Sequence, residues 1–151
     1  MNRLEKTRAF LTEFIIVILF FTISAVITVQ LFVEANKKSN DSISITKGNL
    51  LSETIIEELK ASISQDGISG AEKYMSEDIS YIKEGTGLYY QYFDKELNVV
   101  NKDDAYVLGK VIIETDEKQQ GSLYTVQVSF ENTEKIICTI ETKIYKGEVR
   151  Q

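Results

Sequence analysis

The residues able to do chemistry are few. Histidine is absent from all 151 positions, which removes Ser-His-Asp and Cys-His catalysis and most zinc sites in one step. Two Ser-x-x-Lys strings remain, Ser44 with Lys47 and Ser80 with Lys83, and a serine beside a lysine base is a known hydrolytic pair. Strings this short arise by chance, and the first lies in a polar stretch close to a strongly apolar one. The single cysteine, Cys138, alternates with isoleucines in KIICTIETKIY, the pattern of a core thiol rather than of an exposed nucleophile. NKDD, residues 101–104, brings together oxygen-bearing side chains that suit calcium, but it lacks the spacing of an EF-hand loop and reads as a turn. The expectation is a chain with no metal, no cofactor and no enzymatic activity of its own.

One charged residue stands out by its position. Glu13 sits at the mouth of an apolar run in RAFLTEFIIVILFFTISAVITVQLFV, residues 8–33. From Phe14 to Val33 there are twenty residues without a charge, and only Thr22, Ser24, Thr28 and Gln30 are polar. A helix rising about 1.5 Å per residue covers roughly 30 Å over that length, the thickness of a bilayer's hydrocarbon core. The apolar core of a signal peptide is shorter, roughly 7–15 residues, and ends in a small-residue cleavage site, which Val33-Glu34-Ala35 matches only loosely. The run therefore reads as a transmembrane helix. Arg3, Lys6 and Arg8 before it, against Lys37 and Lys38 after it, favour an N-terminus inside the cell and a C-terminal part outside.

A carboxylate at the centre of a membrane helix costs roughly 2.5–3.5 kcal/mol on insertion scales, and less near the interface. Glu13 has two readings on that basis. It can snorkel to headgroup water with no further role, or it can pair with a cation on a neighbouring chain when helices bundle.

The charge is unevenly distributed. Residues 1–13 carry +1, and with a total of −6 the part beyond the apolar run carries −7. Such an acidic part repels phosphate backbones, so nucleic acid is not an expected partner. One cysteine allows no intramolecular disulfide, and the fold must stand on packing alone.

Those elements divide the chain into a cytoplasmic leader over 1–9, a transmembrane helix over 10–34, an extracytoplasmic helix over 35–64 and a sheet domain over 65–151. The helix can run on past the membrane, since proline is absent, although SNDSIS at 39–44 and Gly48-Asn49 offer two places for a break. NLLSETIIEELKASI, 49–63, sets Leu51, Ile55, Leu59 and Ile63 on one face, with Ile56 widening the stripe. Gly67 and Gly70 are stop signals. Residues 71–85 read as a weak second helix or an irregular connection.

From Leu88 the period changes to alternation. LYYQYF and NVV flank a DKEL turn, VLGKVIIET forms a third strand, and SLYTVQVSFE sets Tyr124, Val126, Val128 and Phe130 on one face. KIICTIETKIY aligns Ile136, Cys138, Ile140 and Ile144 in the same manner. The expected fold is α+β, a long N-terminal helix packed on a small antiparallel meander whose apolar face the Leu51–Ile63 stripe covers.

This organisation resembles the type IV pilins and the pseudopilins of type II secretion and competence systems. The resemblance rests on KTRAFLTEFIIVILFF: basic residues, the small Ala9, then Phe10, then Glu13 within a turn, then an uninterrupted apolar helix. Ala9 stands where the family usually has glycine, and Glu13 follows Phe10 by three residues where the family has four. The resemblance implies cleavage between Ala9 and Phe10 by a prepilin-type peptidase. It also implies that Glu13 pairs with the freed amine of a neighbouring subunit, and it names as partners the lipid bilayer, other pilin-like subunits and an assembly platform protein. The competing reading is a stand-alone membrane-anchored domain that binds a ligand or another envelope protein. A sensor is disfavoured because residues 1–13 are too few to form an output domain.

Overall fold

The computed structural model describes residues 3–78, 80–118 and 121–147. Helix α1 runs Arg3–Asp66 and α2 runs Ile68–Glu77, followed by strands β1 (Ile82–Lys83), β2 (Leu88–Phe93), β3 (Val107–Lys118), β4 (Gly121–Glu131) and β5 (Ile136–Gly147). The five strands pair in sequence order, every pair antiparallel, so the α+β meander read from the sequence is the fold. The chain forms two compact units, Met1–Ser42 and Ile43–Gln151.

In the second unit, register decides the core. Tyr89, Val111 and Val128 stand in one row across β2, β3 and β4, and Phe130 faces Gly109. These residues share one face of the sheet and, with Val126, are almost fully buried. Their cover is the end of α1, through Ser52, Ile55, Ile56, Leu59 and Ile63, joined by Ala71 and Met75 of α2. Gly67, at φ 67°, ends α1 in the left-handed conformation that glycine adopts at no steric cost. The Lys146 ammonium then donates to the Gln65 carbonyl at 2.6 Å, a cation on one of the last helix carbonyls. Tyr74 of α2 donates its hydroxyl to the Glu58 carboxylate of α1. Burial, with that carboxylate beside it, raises the Tyr74 phenol far above its ordinary range.

Four details settle or correct the sequence reading. First, of the two courses open to the helix it takes the continuous one: neither SNDSIS nor Gly48 breaks α1, which continues to Asp66. Gly48 is instead a point of close approach, where a Cβ would stand 2.8 Å from the Cys138 sulfur on β5. The helical cost of glycine, about 1 kcal/mol relative to alanine, is offset by letting the helix backbone settle onto the strand. Second, Leu51 is only partly buried, and Ser52, one residue on, occupies the seam with its hydroxyl 3.9 Å from the same sulfur. Third, the pairing of β4 with β5 slips at Phe130/Glu131, so that Cys138 faces Phe130 and Ile136 faces Glu131. The slip turns Ile136 outward, 64% exposed, and brings Ile137 against the core in its place. Fourth, the chain within 71–85 is more regular than read, with α2 beginning at Ile68 and β1 pairing Ile82 with Tyr90.

The DKEL turn is built by one carboxylate. Asp94 accepts from the Glu96 and Asn98 backbone N–H groups and from the Asn98 side-chain amide, all within 2.9 Å. Leu97 takes a φ of 63°, a left-handed conformation unfavourable for a branched side chain, and is buried. NVV returns through a single bridge, Phe93 to Val99, rather than a full strand. The Asn98 hydrogen bonds hold the Asp94 carboxyl below its ordinary range. A group whose folded pKa is depressed stabilises the fold above its unfolded pKa, and that stabilisation is lost as pH falls through the folded value. Asp94→Ala is therefore expected to lower the melting temperature at neutral pH, with the gap to wild type closing in acid. A gap unchanged at low pH would show that the carboxylate's charge has no part in the turn.

Candidate membrane and assembly helix

The apolar run read from the sequence lies within α1, which is long and apolar enough to cross a membrane, and none of its most apolar stretch is buried against the rest of the described chain. Its large side chains point into open surroundings on all sides, Phe20 and Phe21 being 73% and 76% exposed. A helix that is apolar all round needs an apolar environment. A single apolar stripe would have marked it instead as a helix with one face on a core.

The polar residues of this stretch are accommodated locally. Thr12, Thr22, Ser24 and Thr28 each donate their hydroxyl to the backbone carbonyl four residues earlier, at 2.8–2.9 Å. Those bonds satisfy the hydroxyls without water or a partner chain. Glu13 is different. It is exposed and makes no ion pair or side-chain hydrogen bond among the described residues. With no such partner among the described residues, the carboxylate is open to water, a headgroup or a group from another molecule.

Ala9 and Phe10 precede Glu13 by four and three residues, so the helix brings all three onto one face within about one turn. The Phe10 ring stacks on Phe14 with centroids 6.4 Å apart and planes 13° from parallel. The Ala9–Phe10 peptide bond is inside α1, and a peptidase acting there would first have to unwind that turn. Ser24 and Thr28 lie about three to four turns further along, near the same side, at 3.6 residues per turn.

The other sequence candidates are dispersed. Lys47 donates to the Glu96 carbonyl at 3.2 Å and Lys83 pairs with Glu72 at 2.9 Å, while the Ser80 hydroxyl donates to Asp78 and accepts from the Gln91 amide. Neither Ser-x-x-Lys string places its lysine on its serine. Residues 102–104 of NKDD form a single 3-10 turn, as turn chemistry requires. Cys138 is half-buried beneath Gly48 and Ser52, and burial pushes its thiol up, away from the thiolate. No cluster of His, Cys, Asp or Glu able to hold a metal ion is found among the described residues.

One feature of the sheet's outer face escaped the sequence reading. Two open grooves, of about 430 and 300 Å³, meet at Tyr92; the first is lined by Ser80, Ile82, Val99 and Lys102, the second by Tyr106, Leu108 and Glu131. Alternation placed tyrosines on both faces of β2 but could not say which face α1 covers.

Searches against protein-family models, curated proteins and solved structures find no match to this chain. The helix-and-sheet architecture is compatible in general form with that of pilin-like proteins. It stands here on the chain's own geometry.

Proposed function

We propose that this chain is a single-pass membrane protein of structural role, anchored by α1 with its sheet domain outside the cell. In this reading it assembles through that helix with other pilin-like subunits, drawn together by an assembly platform protein into an envelope filament or a secretion or competence apparatus. The observation that carries the reading is the pairing of an apolar helix, uncovered on every side, with a carboxylate at its edge that has no partner among the described residues. The resemblance of KTRAFLTEFIIVILFF to the pilin N-terminus supports it. Glu13 would supply the contact to a cation on the next subunit, and Ala9-Phe10 would be the processing position. A second reading, an anchored domain that binds a ligand or protein, draws support from the grooves that meet at Tyr92.

The test is in-membrane disulfide crosslinking through Ser24→Cys or Thr28→Cys, with Cys138→Ala to remove the native thiol. Glu13→Gln should leave membrane insertion unchanged and weaken association about five- to thirtyfold, the equivalent of roughly 1–2 kcal/mol for a polar contact between membrane helices. Glu13→Asp should fall between, because the charge survives while its reach shortens by one methylene. Equal crosslinking in wild type and Glu13→Gln would defeat the assembly reading and leave the anchored binding domain.

A further inference from the structure

We infer that the two grooves meeting at Tyr92 form one elongated site for a short run of neutral, linked pyranose rings, with the Tyr92 ring as the surface on which a sugar stacks. This gives a ligand class to the second reading, the anchored binding domain, and rests on it.

The site lies across the strands. Tyr92, Leu108 and Glu131 stand opposite one another on β2, β3 and β4, and on the other side of β2 the Val100 N–H donates to the Tyr92 carbonyl. From Val100 to Glu131 the row crosses three inter-strand spacings, roughly 14 Å. That length suits several joined rings better than one small molecule. The grooves, of about 430 and 300 Å³, each have the volume of a small-ligand site.

The lining selects the chemistry. Val99, 53% exposed, Tyr92 and Leu108 make the floor apolar. On β3 the apolar strip is one residue wide, because Lys110 follows Leu108 on the same face, with Ser129 opposite it on β4. Asn101 borders the first groove, and Asn132 and Thr133 border the second. A narrow apolar strip with hydrogen-bonding margins is complementary to a pyranose chain, whose rings have C–H faces and hydroxyl rims. The C–H groups carry the slight positive charge that the negative face of an aromatic ring attracts, and hydroxyls both donate and accept. Tyr106, 41% exposed, adds a second ring, and the Lys95 ammonium lies over it, 4.9 Å from its centroid.

The same features disfavour other occupants. A sheet recognises an extended peptide by pairing backbone to backbone along an edge strand, and a ligand lying across the strands forms no such ladder. A partner helix sets its anchors into a broad apolar groove, wider than this strip. Among the lining residues the charges are one cation, Lys102 in the first groove, and one anion, Glu131 in the second. They balance, so a neutral ligand is favoured, and the acidic domain around them repels a polyanion.

The test is isothermal titration calorimetry on the full chain in a detergent without a sugar headgroup, with two probes, tetra-N-acetylchitotetraose and cellotetraose. At least one should bind at up to millimolar concentration. Binding of both assigns recognition to ring stacking, and binding of the first alone adds the acetamido group to it. Tyr92→Leu, which keeps apolar bulk and loses the flat ring, should weaken binding roughly five- to tenfold. Tyr92→Phe should keep the affinity, as should Glu141→Ala on the same sheet face away from the grooves, with thermal melting to confirm that each variant folds. Failure of both probes to bind, or binding insensitive to Tyr92→Leu, would overturn the proposal. A neutral peptide that binds more tightly than either tetramer, and is lost in Tyr92→Leu, would also overturn it while leaving the anchored binding domain standing. Membrane anchorage is read separately, by whether the chain sediments with cell membranes, so failure of that reading is told apart from failure of the sugar site.

Discussion

A chain beginning at Gly67 is expected to lose cooperative unfolding, whereas one beginning at Asn40 keeps it. Both lack the apolar run, so its removal does not separate them. What separates them is the cover of the sheet. Starting at Gly67 removes Ile55, Ile56, Leu59 and Ile63, which pack on the face built by Tyr89, Val111, Val126, Val128 and Phe130. Burying one such side chain contributes roughly 1.5–3 kcal/mol, and a whole domain is stable by about 5–15 kcal/mol. Four together amount to about the entire margin. The measurement is thermal melting followed by circular dichroism, with binding of a hydrophobic dye as a second readout. The shorter chain should melt without a sigmoidal transition and bind the dye strongly. A single sharp transition there would show that α2 and the sheet form a core without α1.

Phe130→Ala should cost about 3–5 kcal/mol, the range for deleting a buried aromatic ring, while Ile136→Ala should change stability by no more than about 0.5 kcal/mol. Phe130 is fully buried and lies against Phe93, ring centroids 5.2 Å apart and planes at 59°. Both rings sit over Gly109, where a Cβ would come within 2.6 Å of the Phe93 ring and 3.2 Å of the Phe130 ring. The glycine is the floor on which the two rings pack, so removing one ring opens a cavity that its neighbours cannot close without moving β3. Ile136, six residues on and of similar apolar character, reads from alternation as a core residue, and the register slip beside Phe130 turns it to solvent. Urea unfolding of the two variants measures both effects. Comparable losses at the two positions would contradict the slip and place Ile136 in the core.

The two variants also mark how far the sequence carries. Twenty uncharged residues between Phe14 and Val33 establish a membrane-length helix, because the signal is length and composition and needs no knowledge of the fold. The strands β3 and β4, and the inward residues of β4, were legible for a similar reason: alternation with period two is a property of the strand alone. The stripe over Ile55, Leu59 and Ile63 was legible as the 3.6-residue period of a helix with one buried side.

Other features depend on what a residue meets across the fold, and these only the tertiary structure decided. Gly48 looks like a helix break until β5 is seen beneath it, with Cys138 too close to admit a side chain. Ser52 replaces Leu51 on the buried seam because the helix rests on that thiol, a crossing point that no local period encodes. Tyr92 and Tyr89 are neighbours on one strand and both β-formers. The core takes Tyr89 and leaves Tyr92 on the grooved outer face because α1 covers only one side of the sheet. Glu13 belongs to both classes. Its place at the edge of the apolar run is written in the sequence, and its lack of any partner within the described chain is a fact of three dimensions, since side chains three and four residues away can reach it only once the helix has formed.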